Sequence, residues 1–184
     1  MPHQFQRSID IFKIFNLVFI VFSFIICVLL MFIPIPGMEL LGTSPNWLFI
    51  WLIAWSIKQP VWSSAIAGLI VAWVYDGITL ATPDHVFGFV IVGVCVAGLQ
   101  KQKYTGEDFI SVAFIVFFMT IVSETVFALH YLRIHWLSVS EVLPKYQETA
   151  IISAIITSLW SPVFYYPFNL CQQKIKQLER KVLK

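Results

Sequence analysis

Two carboxylates stand where carboxylates are costly. Glu124 falls in the second half of an apolar run from Phe109 to Leu129, and Asp76 follows another from Val61 to Tyr75. In lipid, an ionised acid near mid-span costs roughly 2.5–3.5 kcal/mol on insertion scales, so such a group takes a hydrogen-bond partner, a cation or a proton. The chemistry open to Glu124 is therefore a proton relay, the gripping of a partner, or an interhelical hydrogen bond. Thr120 and Ser123 share its helical face, and Ser153, Thr157 and Ser161 recur every fourth residue in the last apolar run. That spacing predicts a polar seam between the two runs, with Ser153 and Thr157 near the depth of Glu124. Asp76, followed by Gly77, is placed to cap or orient the loop toward Val86, or to mark the water interface.

Other chemistries find no support. His130 and His135 flank Arg133 without a helical metal-ligand spacing. Cys27, Cys95 and Cys171 are scattered through apolar segments and suit packing better than a disulfide or a zinc site. There is no HExxH, no Cys/His or Ser/His/Asp pattern in a recognisable setting, and no Gly-rich phosphate loop. An intramembrane enzyme using Glu124 or Asp76 as general base would lack a second catalytic group at a credible spacing. The expectation is a non-enzyme with no cofactor, no metal and no nucleic-acid partner.

The elements that must position these groups are membrane spans. Hydrophobic residues make up 59% of the 184 positions and charged ones 12%, against roughly 45–50% and 25% in soluble domains. Apolar runs lie near 14–33, 46–57, 61–76, 86–99, 109–129 and 151–168. The first is about 30 Å long as a helix, which matches the hydrocarbon core and exceeds a signal-peptide core. Several others are short, so charge is the independent test. With six spans and the N-terminus inside, the cytoplasmic segments hold Arg7, Lys13, Lys58, Lys101, Lys103 and the five basic residues of the tail 169–184. The outer segments hold only Arg133 and Lys145. Fusing the second and third runs would reverse this for the Lys101/Lys103 loop, against the positive-inside rule. The fold class expected is all-α, one six-helix transmembrane domain over 1–184 with both termini cytoplasmic.

Local signals refine the elements. Ser44 and Pro45 read as an N-cap and first-turn proline before Trp47, and Lys58-Gln59-Pro60 as a tight turn. The stretch from His130 to Glu148 reads as the longest connection, with Leu132, Trp136, Val139 and Leu143 at near-helical spacing, suited to an amphipathic helix on the membrane or to a partner. The basic tail suits anionic headgroups. Between helices in lipid, small residues permit close packing. Ser64, Gly68 and Ala72 in the third run, and Gly93 and Ala97 in the fourth, predict that these two helices pack closely. The first span has no Gly or Ala and should face lipid or a partner. Trp47, Trp51 and Trp55 form a stripe on the second, whose ends can be interfacial anchors while Trp51 packs inward or meets a partner. With Arg133 and Trp136 this stripe is the candidate partner surface.

From Pro45 to Gly98 the sequence resembles the bacterial rod shape-determining MreD family. The resembling features are Pro45-Asn46-Trp47 opening a helix, Lys58 and Pro60 in a turn, Gly68-Leu69 followed by Asp76, and a fourth helix with Gly88, Gly93 and Gly98. The stretch Ile78 to His85 departs from the Gly-rich linker usual there, so no role carries over to it. The resemblance implies a non-catalytic component of the elongation machinery in the bacterial cytoplasmic membrane. It implies MreC as partner and, through it, the RodA glycosyltransferase and a class B penicillin-binding protein. The competing expectation is a small-molecule (vitamin) binding subunit of an energy-coupling-factor transporter, a six-helix protein with a fold expected to be similar. Such subunits dock through an Ala-x-x-x-Ala surface on the first helix, which this alanine-free span lacks.

Overall fold

The computed structural model describes residues 2–33, 35–79, 85–100, 109–135 and 139–182. Trp136 and the Lys101/Lys103 loop lie outside them. The described chain is all helical: α1 (Pro2–Phe32), α2 (Trp47–Ser56), α3 (Val61–Thr79), α4 (Val86–Gln100), α5 (Phe109–His135) and α6 (Val139–Val182). Four of these, α1, α3, α5 and α6, are long and apolar enough to cross a membrane. At 10 and 15 residues, α2 and α4 are about 15 and 22 Å long, shorter than the ~30 Å hydrocarbon core.

The centre of the bundle is α2. It is apolar all the way round, which leaves no face to turn to water, and nine of its ten residues are buried. It is packed by α1, α3, α4 and α6. Its cap is Asn46, whose side chain accepts from the Phe49 N–H at 3.0 Å. Ser44, the expected cap, instead donates to Glu39 at 3.2 Å. Asn46 wins because the helix begins at Trp47, which puts its carboxamide oxygen in reach of the third N–H.

This packing gives Trp51 the inward of its two expected places and covers Trp47 within the bundle. Trp47 and Trp51 are buried, and Trp55 is half-buried. Trp51 Nε1 donates to Ser23 Oγ of α1 at 2.9 Å, while its ring stacks on Trp55 and meets Phe24 edge-on. Trp47 meets Trp160 of α6. The indoles are large, so packing them between helices removes much surface from lipid; the Trp51 donor finds an oxygen, whereas the buried Nε1 groups of Trp55 and Trp160 have no hydrogen-bond partner among the described residues. In the 14–32 part of α1 the two small side chains, Ser23 and Cys27, are buried, and most of the bulky apolar residues are exposed.

Between α3 and α4 the backbones come very close. A Cβ on Gly68 would lie 2.7 Å from the Phe89 carbonyl oxygen, and one on Gly93 would lie 2.5 Å from that of Ser64. Ser64, Ala72 and Ala97 are buried in the same packed region.

Within the stretch from His130 to Glu148, expected as a connection with near-helical spacing, the described residues are helical. α5 continues to His135 and α6 starts at Val139. At the other end α6 runs on through the basic tail to Val182. Helix continuity is set by backbone hydrogen bonding, so it persists where the apolar pattern stops. Three prolines lie inside α6, at 144, 162 and 167. Pro162 has no N–H for the Ser158 carbonyl, and Ser161 Oγ donates to that oxygen at 2.8 Å instead.

Candidate functional site

At the end of the bundle where α1 and α3 finish and α2 begins, a cavity of about 240 Å3 lies beneath the linker from Ile33 to Asn46. The linker is built to fold over it. Leu40 and Thr43 exchange backbone hydrogen bonds at 3.0 and 2.9 Å around Leu41 and Gly42, both at positive φ, the conformation of a type I′ turn. Apolar wall comes from the end of α1, with Leu30 and Met31, and from Ile35 and Met38 of the linker. Polar wall comes from Glu39 and Asn46, from Tyr75 of α3, from Glu124 of α5, and from Thr149 and Ser153 of α6. Glu124 and Ser153 thus share a cavity rather than a direct hydrogen bond.

The remaining hydroxyls of the expected seam turn elsewhere. Thr120 is buried and donates to the Val116 carbonyl at 2.8 Å. Ser123 faces α4, where a Cβ on Gly88 would lie 2.8 Å from its Oγ. Thr157 Oγ1 accepts from the Asn46 backbone N–H at 3.3 Å, so α6 helps to hold the start of α2. Thr120 thus satisfies itself on its own preceding turn and Thr157 meets a nearby backbone, as small hydroxyls in helices commonly do. A direct side-chain bond between α5 and α6 joins Thr125 and Tyr146 at 2.6 Å.

Beside the cavity sits a second polar cluster. Asp76 is buried, and its Oδ1 accepts from His85 Nδ1 at 2.6 Å. Its Oδ2 has no hydrogen-bond partner among the described residues. The His85 ring stacks on Phe127 of α5, with centroids 4.4 Å apart, and meets Tyr75 edge-on. Its carbonyl accepts the Phe89 N–H, the first turn of α4. Asp76 and His85 therefore fasten the end of α3 to the start of α4. Tyr75 belongs to both groups, with its ring against His85 and its side chain in the cavity wall.

Sequence reasoning singled out Asp76, Glu124 and Ser153, and missed His85, Tyr75 and Glu39. The Asp76/His85 spacing of nine is not a helical interval, so only the packing of α3 against α4 brings them together. Arg133 is exposed near the end of α5. Among the described residues no three His, Cys, Asp or Glu side chains are grouped so as to hold a metal ion.

No curated protein sequence and no solved structure matches the chain. A family profile described as rod shape-determining protein MreD matches residues 12–172, from within α1 into the last third of α6. The match embraces the buried α2, the close α3/α4 pair and both polar groups, and so the chain belongs to the MreD family of rod shape-determining proteins.

Proposed function

We propose that the chain is a non-catalytic membrane scaffold of the cell-elongation machinery, one that binds an MreC-like protein and supports lateral peptidoglycan synthesis. Family membership, which implies a role in rod shape determination, is the observation that carries this reading. The family is one of shape-determining structural proteins and is not a known enzyme family. RodA and a class B penicillin-binding protein are the indirect partners proposed. The placement proposed is the bacterial inner membrane, with six spans and both termini cytoplasmic. The distribution of Lys and Arg supports it, and it sets the cavity toward the outside.

For docking, α1 is the better candidate now that Trp47 and Trp51 are accounted for within the bundle. Only 11% of its Ile14–Phe32 window is buried, and Phe15, Val18, Phe22 and Leu29 are among its exposed side chains. Such a surface is covered by lipid or by the span of another chain. The experiment is recovery of the tagged full-length chain in mild detergent. An MreC-like protein should come with it, and replacing exposed α1 residues such as Phe22 by Ala should reduce that recovery. Loss of rod shape on depletion is the matching result in cells.

A small-molecule binding subunit of an energy-coupling-factor transporter is the second reading. The cavity beneath the linker, with Glu124 in its wall, is the observation in its favour. Recovery of an ATPase transport module in place of an MreC-like protein would decide for it.

A further inference from the structure

We infer that the cavity beneath the 33–46 linker binds an organic cation, an ammonium group on a small apolar body, with Glu124 and Glu39 as its counter-charges. This goes beyond the scaffold reading and does not depend on it.

Three observations converge. Glu124 lies in a helix long and apolar enough to cross a membrane, yet it has no hydrogen bond or ion pair among the described residues. A carboxylate in that position needs either a proton or a positive partner. The cavity it faces also has the exposed Glu39 carboxylate at its edge, where it accepts from Ser44, and no Lys, Arg or His lines it. The positive partner is therefore not supplied by the described wall. A transition-metal ion fits poorly, because no His or Cys lines the cavity and no three His, Cys, Asp or Glu are grouped among the described residues.

The rest of the wall fits the rest of such a molecule. Leu30, Met31, Ile35 and Met38 can enclose a hydrocarbon body, and Trp47 adds an aromatic side chain to the wall. Thr149 and Ser153 supply hydroxyl acceptors for the remaining ammonium protons. The volume of about 240 Å3 lies just below the ~300–1,000 Å3 of pockets for drug-sized ligands, which limits the body to a small one. The same ammonium chemistry is available from a soluble amine and from the headgroup of an ethanolamine phospholipid.

The test uses the full-length protein in detergent and in lipid nanodiscs. n-Hexylamine should raise the melting temperature saturably, and n-hexanol, of the same length without the charge, should not. Glu124→Gln should weaken the hexylamine effect on the order of tenfold, the loss of one charged hydrogen bond, and Glu39→Gln should weaken it less. Native mass spectrometry separates the sources. One phosphatidylethanolamine retained from mixed nanodiscs by the native protein and lost in Glu124→Gln assigns the site to the lipid headgroup. A hexylamine effect without retained lipid assigns it to a soluble amine. If Glu124→Gln does not fold, Ser153→Leu, which fills the cavity and leaves both carboxylates, must abolish either signal. The inference is overturned if neither probe binds, or if hexanol or the cavity-filled variant behaves like hexylamine on the native protein.

Discussion

Asp76 and His85 join two helices through one short bond, and replacing either leaves the other without its partner in a nearly dry place. Hydrogen bonds to charged groups contribute about 1.5–3 kcal/mol. A double-mutant cycle over Asp76→Asn and His85→Ala should return a coupling of about that size in unfolding measurements, and near-additivity would mean the contact does not hold the helices. Ser161→Ala makes a sharper case, because Pro162 has already deprived the Ser158 carbonyl of its backbone donor. Removing the hydroxyl should cost about 1 kcal/mol, whereas adding Pro162→Ala should recover most of that loss by restoring the N–H. At this scale the sequence is legible where one residue type has one reason to be present, as with an acid in an apolar run. It is not legible where a role depends on convergence. Glu39 and Asn46 reach the cavity wall from the linker and Tyr75 from α3, and no spacing between them could have announced it.

Among the elements, α3 and α4 make the clearest claim on stability. Their approach leaves no room for a β-carbon at Gly68 or Gly93, where the obstacle is backbone rather than a side chain that could rotate away. Gly68→Ala and Gly93→Ala should each destabilise by about 1–3 kcal/mol through overpacking. Gly98→Ala, with nothing within 4 Å, should be neutral or slightly stabilising. Measured stabilities in detergent that ranked Gly98→Ala with the other two would contradict the close approach. The small-residue stripes that pointed to this pair were readable because glycine and alanine in lipid-facing helices have few other uses. The tryptophans of α2 were less legible for the opposite reason. A helix that is apolar on every side carries no periodic clue to which neighbour covers which face, so a central helix and a peripheral one look alike in sequence. The reach of α6 was hidden too, since its first and last turns are polar and only hydrogen bonding along the backbone extends it beyond the apolar stretch.

For the whole molecule, the proposed placement has a direct check. In a chain whose native cysteines are replaced, Leu41→Cys should react with an impermeant maleimide in intact cells, because Leu41 is exposed at the tip of the linker turn. Gln59→Cys, in the turn between α2 and α3, should react only after the membrane is opened. The reverse pattern would invert the molecule and place the cavity on the cytoplasmic side. Lys58 at that same turn bonds Asn169 of α6, so α6 touches the polar groups at one end of the bundle and the α2/α3 turn at the other. With 44 residues it is about 66 Å long, more than twice the ~30 Å of the hydrocarbon core. Pro162 and Pro167 lie within it, and proline is where long helices bend. Were α6 stiff across them, a pivot of ~10° about its middle would sweep each end through roughly 6 Å, so a pull on one end would displace the other.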